Sequence, residues 1–73
     1  MKPWEWNYLK GSIVIELHKL GRPIRLPTAQ WLFSDLYGTL DANVRLALSE
    51  LKDEGKLTID NGGWISLPHT SNQ

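Results

Sequence analysis

The 73-residue chain has no cysteine, no long apolar run and no formal net charge, and each absence narrows what it is able to do. Without cysteine there is neither a disulfide framework nor a thiolate metal site. No apolar run approaches the roughly 20 residues that a membrane-spanning helix needs. The length suits one small domain. We therefore expect a soluble, cytoplasmic, single-domain protein with no membrane partner.

The zero net charge argues against nucleic-acid binding, because Lys and Arg usually neutralise the phosphates. The charge is unevenly distributed, however. Residues 1–27 hold five Lys and Arg against two Glu, whereas residues 28–56 hold three basic against five acidic side chains. The N-terminal third is therefore the basic part of the chain.

Apolar residues at steps of three and four predict a first amphipathic helix over about residues 5–20. Because Gly11 weakens a helix, the alternative is that this helix begins near Ser12. Residues 22–27 then alternate polar and apolar side chains between two prolines, which is typical of a very short edge strand.

Two further helices follow the short strand. One is predicted over about residues 29–36, with Thr28 as its N-cap, and the other over about 42–54, with Asp41 as its N-cap. The third helix has the clearest pattern, and its expected buried face consists of Val44, Ala47, Leu48 and Leu51. Trp6 and Trp31 are expected to lie in the core or to pack between helices.

A β-hairpin is predicted at the C-terminal end, with strands over 56–60 and 64–67. A three-residue loop at 61–63 pairs Ile59 with Ile65 and makes one face wholly apolar, so we prefer it to a two-residue loop. This register places Trp64 beside Asp60 on the outer face. The expected common core comprises Leu17, Leu32, Leu36, Val44, Leu48, Leu51, Ile59 and Ile65.

The order of helix, short strand, helix, turn, helix and hairpin resembles the winged helix-turn-helix superfamily over roughly residues 5–67. Residues 36–57 carry the resemblance. They contain a turn, a helix and then the spacing Leu-x-x-x-Gly-x-Leu at Leu51, Gly55 and Leu57, which leads into the hairpin. The resemblance implies an α+β winged-helix domain over 1–67. Residues 68–73 are polar and aperiodic, and we expect a disordered tail there.

The resemblance further implies that the third helix lies in the DNA major groove and that the second touches phosphate. Asn43 would then pair with adenine, Arg45 with guanine, and Ser49 with a base or a phosphate. The full set of expected DNA contacts is Arg25, Thr28, Gln30, Asn43, Arg45, Ser49, Lys52 and Lys56. The implied function is a small DNA-binding transcriptional regulator or a phage or plasmid accessory factor acting on double-stranded DNA.

A protein-interaction module of the same fold is the alternative. It is favoured by three acidic residues on the third helix, by a hairpin tip without basic residues, and by Leu46 on the outward face. Trp64 is either an anchor for a homodimer or another protein, or it is covered by the N-terminal segment with Trp4. The candidate protein-interaction residues are Trp4, Leu46 and Trp64.

Catalytic chemistry has little support in this sequence. His18 and His69 are far apart and share no carboxylate spacing motif, and no glycine-rich phosphate loop is present. We expect no catalytic residue, no metal and no cofactor, and hence a protein that is not an enzyme.

Overall fold

A computed structural model describes residues 2–68, which form three helices and a three-stranded antiparallel sheet, an α+β arrangement. The elements in chain order are α1 (Pro3–Leu20), β1 (Ile24–Arg25), α2 (Leu26–Tyr37), α3 (Asp41–Asp53), β2 (Thr58–Ile59) and β3 (Trp64–Ser66). This order matches the predicted one and is compatible with a winged-helix-like fold. Disorder is expected over residues 68–73; Pro68 is outside any helix or strand, and 69–73 lie outside the described residues.

Helix α1 begins at Pro3, two residues earlier than predicted. A proline suits a first turn because the N–H that it lacks has no partner within the helix there. The helix runs through Gly11 without a break, so the alternative start near Ser12 is wrong. It ends at Gly21, whose φ of 66° gives the left-handed conformation that terminates many helices.

The two N-caps predicted for α2 and α3 are wrong. Helix α2 begins at Leu26 after Arg25 in the N-cap position, which places Thr28 inside the first turn. Leu40 occupies the N-cap position of α3, so Asp41 is its first helical residue. A carboxylate in that first turn still interacts favourably with the positive end of the helix dipole.

The hydrophobic core lies where α1, α2, α3 and the sheet meet. The predicted buried face of α3 is confirmed in all four positions, and Phe33 of α2 is fully buried beside it. The buried apolar residues are Leu9, Ile13, Leu17, Ala29, Phe33, Val44, Ala47, Leu48, Leu51, Leu57 and Ile65. Leu32 and Ile59, expected in this core, are partly buried and pack against it.

Two residues of α2 that were expected to be packed are exposed: Trp31 by 67% and Leu36 by 52%. Helix α2 directs Ala29 and Phe33 into the core, and Trp31 lies about 200° around the helix from Ala29. In the last turn Tyr37 takes the core side by stacking on Phe33, with 6.2 Å between ring centroids. Leu36, about 100° away, therefore remains outside.

The sheet has the order β1-β3-β2, with β1 at an edge as predicted. Ile65 of the central strand pairs with Ile24 on one side and with Ile59 on the other, which confirms the three-residue hairpin loop. Gly63 closes that loop at a φ of 79°, a conformation that favours glycine. Because the register places Ile65 in the core, the alternate residue Trp64 lies on the outer face, as expected.

Candidate functional site

Four side chains join α1 to α3 and form what we call the α1–α3 junction: Trp6, Lys10, Glu50 and Glu54. Lys10 is only 8% exposed, and its Nζ donates to Glu50 Oε1 at 3.1 Å and to Glu54 Oε2. Trp6 Nε1 donates to the same Glu50 oxygen at 2.8 Å. The lysine's charge is thus satisfied by two carboxylates one helical turn apart.

The junction shifts the pKa values of its charged groups. The hydrogen bond from Lys10 to Glu54, with a further one to Glu50, raises the pKa of the ammonium above 10.5 despite its partial desolvation. The hydrogen bond from Trp6, followed by that from Lys10, lowers the pKa of the Glu50 carboxyl below 4.5. Both side chains are therefore charged at neutral pH, and two of the acidic residues of α3 and its C-cap are paired with a cation.

The exposed side of α3 forms a second surface, the α3 outer face, opposite its buried residues. It consists of Ala42, Arg45, Leu46, Ser49 and Lys52. Within residues 2–68, neither Arg45 nor Lys52 has a carboxylate in salt-bridge range. Two exposed carboxylates adjoin this face, Asp41 one turn before Arg45 and Asp53 next to Lys52. The face therefore combines two available cations, a hydroxyl and an exposed leucine.

Asn43, the predicted adenine contact, does not belong to the α3 outer face. It is half-buried, and its Nδ2 donates to Thr39 Oγ1 at 3.0 Å, within the turn that precedes α3. Around the helix axis, Asn43 points in nearly the same direction as Glu50, seven residues later, and away from Arg45 and Ser49. Asn43 therefore stabilises the turn, and a base contact would require this hydrogen bond to break.

An open groove lies between the start of α2 and the hairpin, and its charged and aromatic lining consists of Arg22, Arg25, Asp60 and Trp64, with Thr28 beside them. Arg25 and Trp64 are cross-strand partners, and the Arg25 guanidinium carbon lies 5.6 Å from the centroid of the indole. This is cation–π distance. We call this surface the Arg25–Trp64 groove.

The N-terminal segment does not cover Trp64, so one of the two alternatives from the sequence is wrong. That segment is helical from Pro3, and Trp4 borders a separate depression with Tyr8 and Tyr37. Trp64 remains 43% exposed, with Arg25 on one face of its ring.

The other predicted residues are dispersed. Thr28 and Lys56 are exposed, but Lys56 borders a depression with Lys10 rather than the Arg25–Trp64 groove. Gln30 is half-buried on the core side of α2. Seven of the eleven candidates thus fall on two surfaces, four on the α3 outer face and three in the groove, and the other four lie outside both: Trp4, Gln30, Asn43 and Lys56.

Sequence reasoning missed the α1–α3 junction. A signal was present, since Lys10 stands directly after Leu9 within the apolar stripe of α1, where a charged residue needs a partner. Glu50 and Glu54 are four residues apart and therefore share one side of a helix. Together these positions indicate a buried cation facing an acidic pair.

Comparison with family models, with curated proteins and with solved structures gives no match to this chain. Across residues 2–68, no three His, Asp or Glu side chains are grouped so as to hold a metal ion. No helix in the same range is both long and apolar enough to cross a membrane.

Proposed function

We propose that this protein is a small DNA-binding protein of the winged-helix type that places the α3 outer face in the major groove. The observation that supports this most directly is the separation of charge around α3. Glu50 and Glu54 are engaged by Lys10, while Arg45 and Lys52 are exposed on the other side. Two of the three acidic residues that argued against DNA binding thus lie away from the proposed contact surface.

Each residue of the face has a chemical task in this proposal. The major groove, about 12 Å wide, admits an α-helix. The Arg45 guanidinium matches the two acceptors of a guanine edge, and the Ser49 hydroxyl bonds a base or a phosphate. Lys52, a flexible point charge, neutralises phosphate and supplies affinity without sequence information.

The Arg25–Trp64 groove provides backbone contacts in the same proposal. Arg25 and Thr28 lie at the N-terminus of α2, where the helix dipole favours an anion. The Leu26 N–H already donates to Gly63 O at 2.8 Å and Pro27 has no N–H, so the side chains would provide most of the contacts. A phosphate at this position would be held by the guanidinium and the hydroxyl. With so few cations, one copy would bind weakly, and two copies on a symmetric site would compensate. Such a protein would act as a transcriptional regulator or an accessory factor of a phage or plasmid.

Binding to random duplex DNA at low salt, followed by selection of preferred sites, tests the proposal. Arg45→Ala should weaken binding to the selected site by about 1–3 kcal/mol and relax the preference at one base pair. Lys52→Ala should weaken binding to all sequences alike and reduce the salt slope by about one. Lys2→Ala, which removes an exposed lysine outside both surfaces, is the control and should change little.

Leu46 favours a second candidate function, a protein-interaction module that uses the same face. This side chain is 55% exposed in the middle of the α3 outer face, and apolar anchors of this kind are typical of protein interfaces. If the protein shows no salt-dependent binding to any duplex at about 50 mM salt, the DNA-binding proposal is wrong and the interaction module takes its place.

A further inference from the structure

Helix α1 carries large apolar side chains on two opposite sides. The inner side is buried in the core, whereas the outer side is exposed to solvent. The buried apolar residues are Leu9, Ile13 and Leu17, and the exposed ones are Trp4 at 65%, Tyr8 at 69% and Ile15 at 57%. A helix that is apolar on both sides is normally covered on both sides. Within residues 2–68, the outer side has no such cover.

The exposed residues form one straight strip. At 3.6 residues per turn, Trp4, Tyr8, Gly11 and Ile15 fall within an arc of about 60° and extend for roughly 17 Å along α1. We call these four residues the α1 outer strip. Near its middle, a Cβ placed on Gly11 would meet nothing within 4 Å. The helix backbone is thus open to close approach at that point.

We propose that the α1 outer strip binds the same strip of a second copy of this chain, with the two helices antiparallel. A twofold axis between Gly11 and Ser12 places Tyr8 of each copy opposite Ile15 of the other. Gly11 of each copy then lies beside the crossing point, where the backbones come closest. The interface is isologous, because each copy contributes the same surface.

The charges at the ends of the strip favour this antiparallel register. It places Trp4 of one copy opposite Lys19 of the other, and Glu5 opposite His18. The Lys19 side chain is 69% exposed and lies 3.6 Å from Glu16, so its charge remains near the surface. A cation against an indole and a carboxylate near a basic end are both attractive. A parallel pairing would instead bring Lys19 against Lys19.

The other exposed tryptophans are less suited to a symmetric contact. Trp31 stands among Pro27, Thr28 and Asp35 on the exposed side of α2, and Trp64 already has Arg25 over its ring.

The area of the proposed interface is small. Three large apolar side chains per copy bury less than the roughly 800 Å² per partner of a standard interface. The dimer is therefore weak and forms only as the protein concentration rises.

Sedimentation equilibrium of the full chain between about 10 µM and 1 mM tests the proposal, since a weak dimer dissociates in this range. The wild type should change from monomer to dimer. Tyr8→Ala should raise the dimer dissociation constant by about tenfold or more, because each copy loses a central aromatic side chain from the interface. Trp31→Ala removes an aromatic side chain of similar exposure, 67%, and should leave the constant unchanged.

Gly11→Gln separates the interface from the stability of the fold. The new side chain has open space in the monomer, and glutamine is a better helix former than glycine, so the thermal midpoint of the monomer should rise. The same side chain stands at the helix crossing and should weaken the dimer at least as much as Tyr8→Ala. The proposal is wrong if the wild type stays monomeric up to about 1 mM, because even a weak dimer is partly formed at that concentration. A dimer that persists in Gly11→Gln but is lost in Trp64→Ala would overturn it equally.

Discussion

The α1–α3 junction and the Arg25–Trp64 groove each contain a tryptophan and a cation, but the two side chains are related differently in each. At the junction, Trp6 and Lys10 donate to one oxygen of Glu50. In the groove, Arg25 lies over the face of Trp64, and no carboxylate within residues 2–68 is in salt-bridge range of it. Lys10 thus shares a carboxylate acceptor with the Trp6 side chain, whereas the Asp60 carboxylate that lines the groove accepts from the backbone N–H groups of Gly62 and Trp64.

The shared acceptor decides what each cation is able to do. Lys10 is 8% exposed, and its charge is balanced by the two carboxylates to which it donates, so its role is to hold α1 against α3. A guanidinium held only by an indole keeps its N–H donors available. The junction therefore has a structural role, whereas the Arg25 guanidinium in the groove keeps donors that an anion would bind.

The largest effect should come from the core that underlies both regions. Leu48 is fully buried, and Leu48→Ala should lower the free energy of unfolding by about 2–5 kcal/mol through lost burial and the cavity left behind. A denaturant titration measures this change. Leu40→Ala, at an apolar position that is 72% exposed, is the control. A loss below about 1 kcal/mol for Leu48→Ala would contradict the packing described for α3.

A matched pair of tryptophan substitutions should give the next largest effect. Trp6→Phe removes the donor to Glu50 and should destabilise the fold by about 1–2 kcal/mol, because the bond is made to a charged acceptor. Trp64→Phe keeps an aromatic ring beneath Arg25 and should stay within about 0.5 kcal/mol of the wild type. Urea titrations of both variants measure the difference. Equal losses in the two would remove the distinction between the regions.

The smallest effect should be a change in how stability depends on pH. Because the folded-state pKa of Glu50 is lowered, its contribution is present above pH 4.5 and is lost as the pH falls through the folded pKa. The raised pKa of Lys10 gives a contribution that is present below 10.5 and is lost as the pH rises through its folded value. Stability should therefore decline at both extremes.

Two variants locate that pH dependence in the junction. Glu50→Gln should flatten the acid decline and Lys10→Met the alkaline one, as measured by thermal midpoints across the pH range. Asp53→Asn removes an exposed carboxylate from the same helix and serves as the control. An acid decline that is unchanged in Glu50→Gln would show that other carboxylates cause it.

The sequence predicted best where local chemistry and periodicity agreed. The buried face of α3 follows from a regular apolar spacing, and all four of its residues are buried. The hairpin register follows from the loop length, because a shift by one residue would turn Ile65 out of the core. Gly21 also ends α1 as expected.

Predictions failed where the orientation of an element depended on its neighbours. Trp31 and Leu36 lie on α2, which is short and apolar on several sides, so the sequence does not show which side faces the core. Phe33 and Tyr37 occupy that side and leave the other two exposed. Asn43 was counted as outward-facing, but the turn before α3 uses its amide.

By itself, the sequence determined the order of elements, the core side of α3 and the register of the hairpin, because periodicity and turn chemistry act over a few neighbouring residues. Only the tertiary structure decided the partners of charged and aromatic side chains. Lys10 meets Glu50 across 40 residues of chain, and Arg25 meets Trp64 across two strands. Such contacts depend on how helices and strands pack in space, which no local pattern specifies.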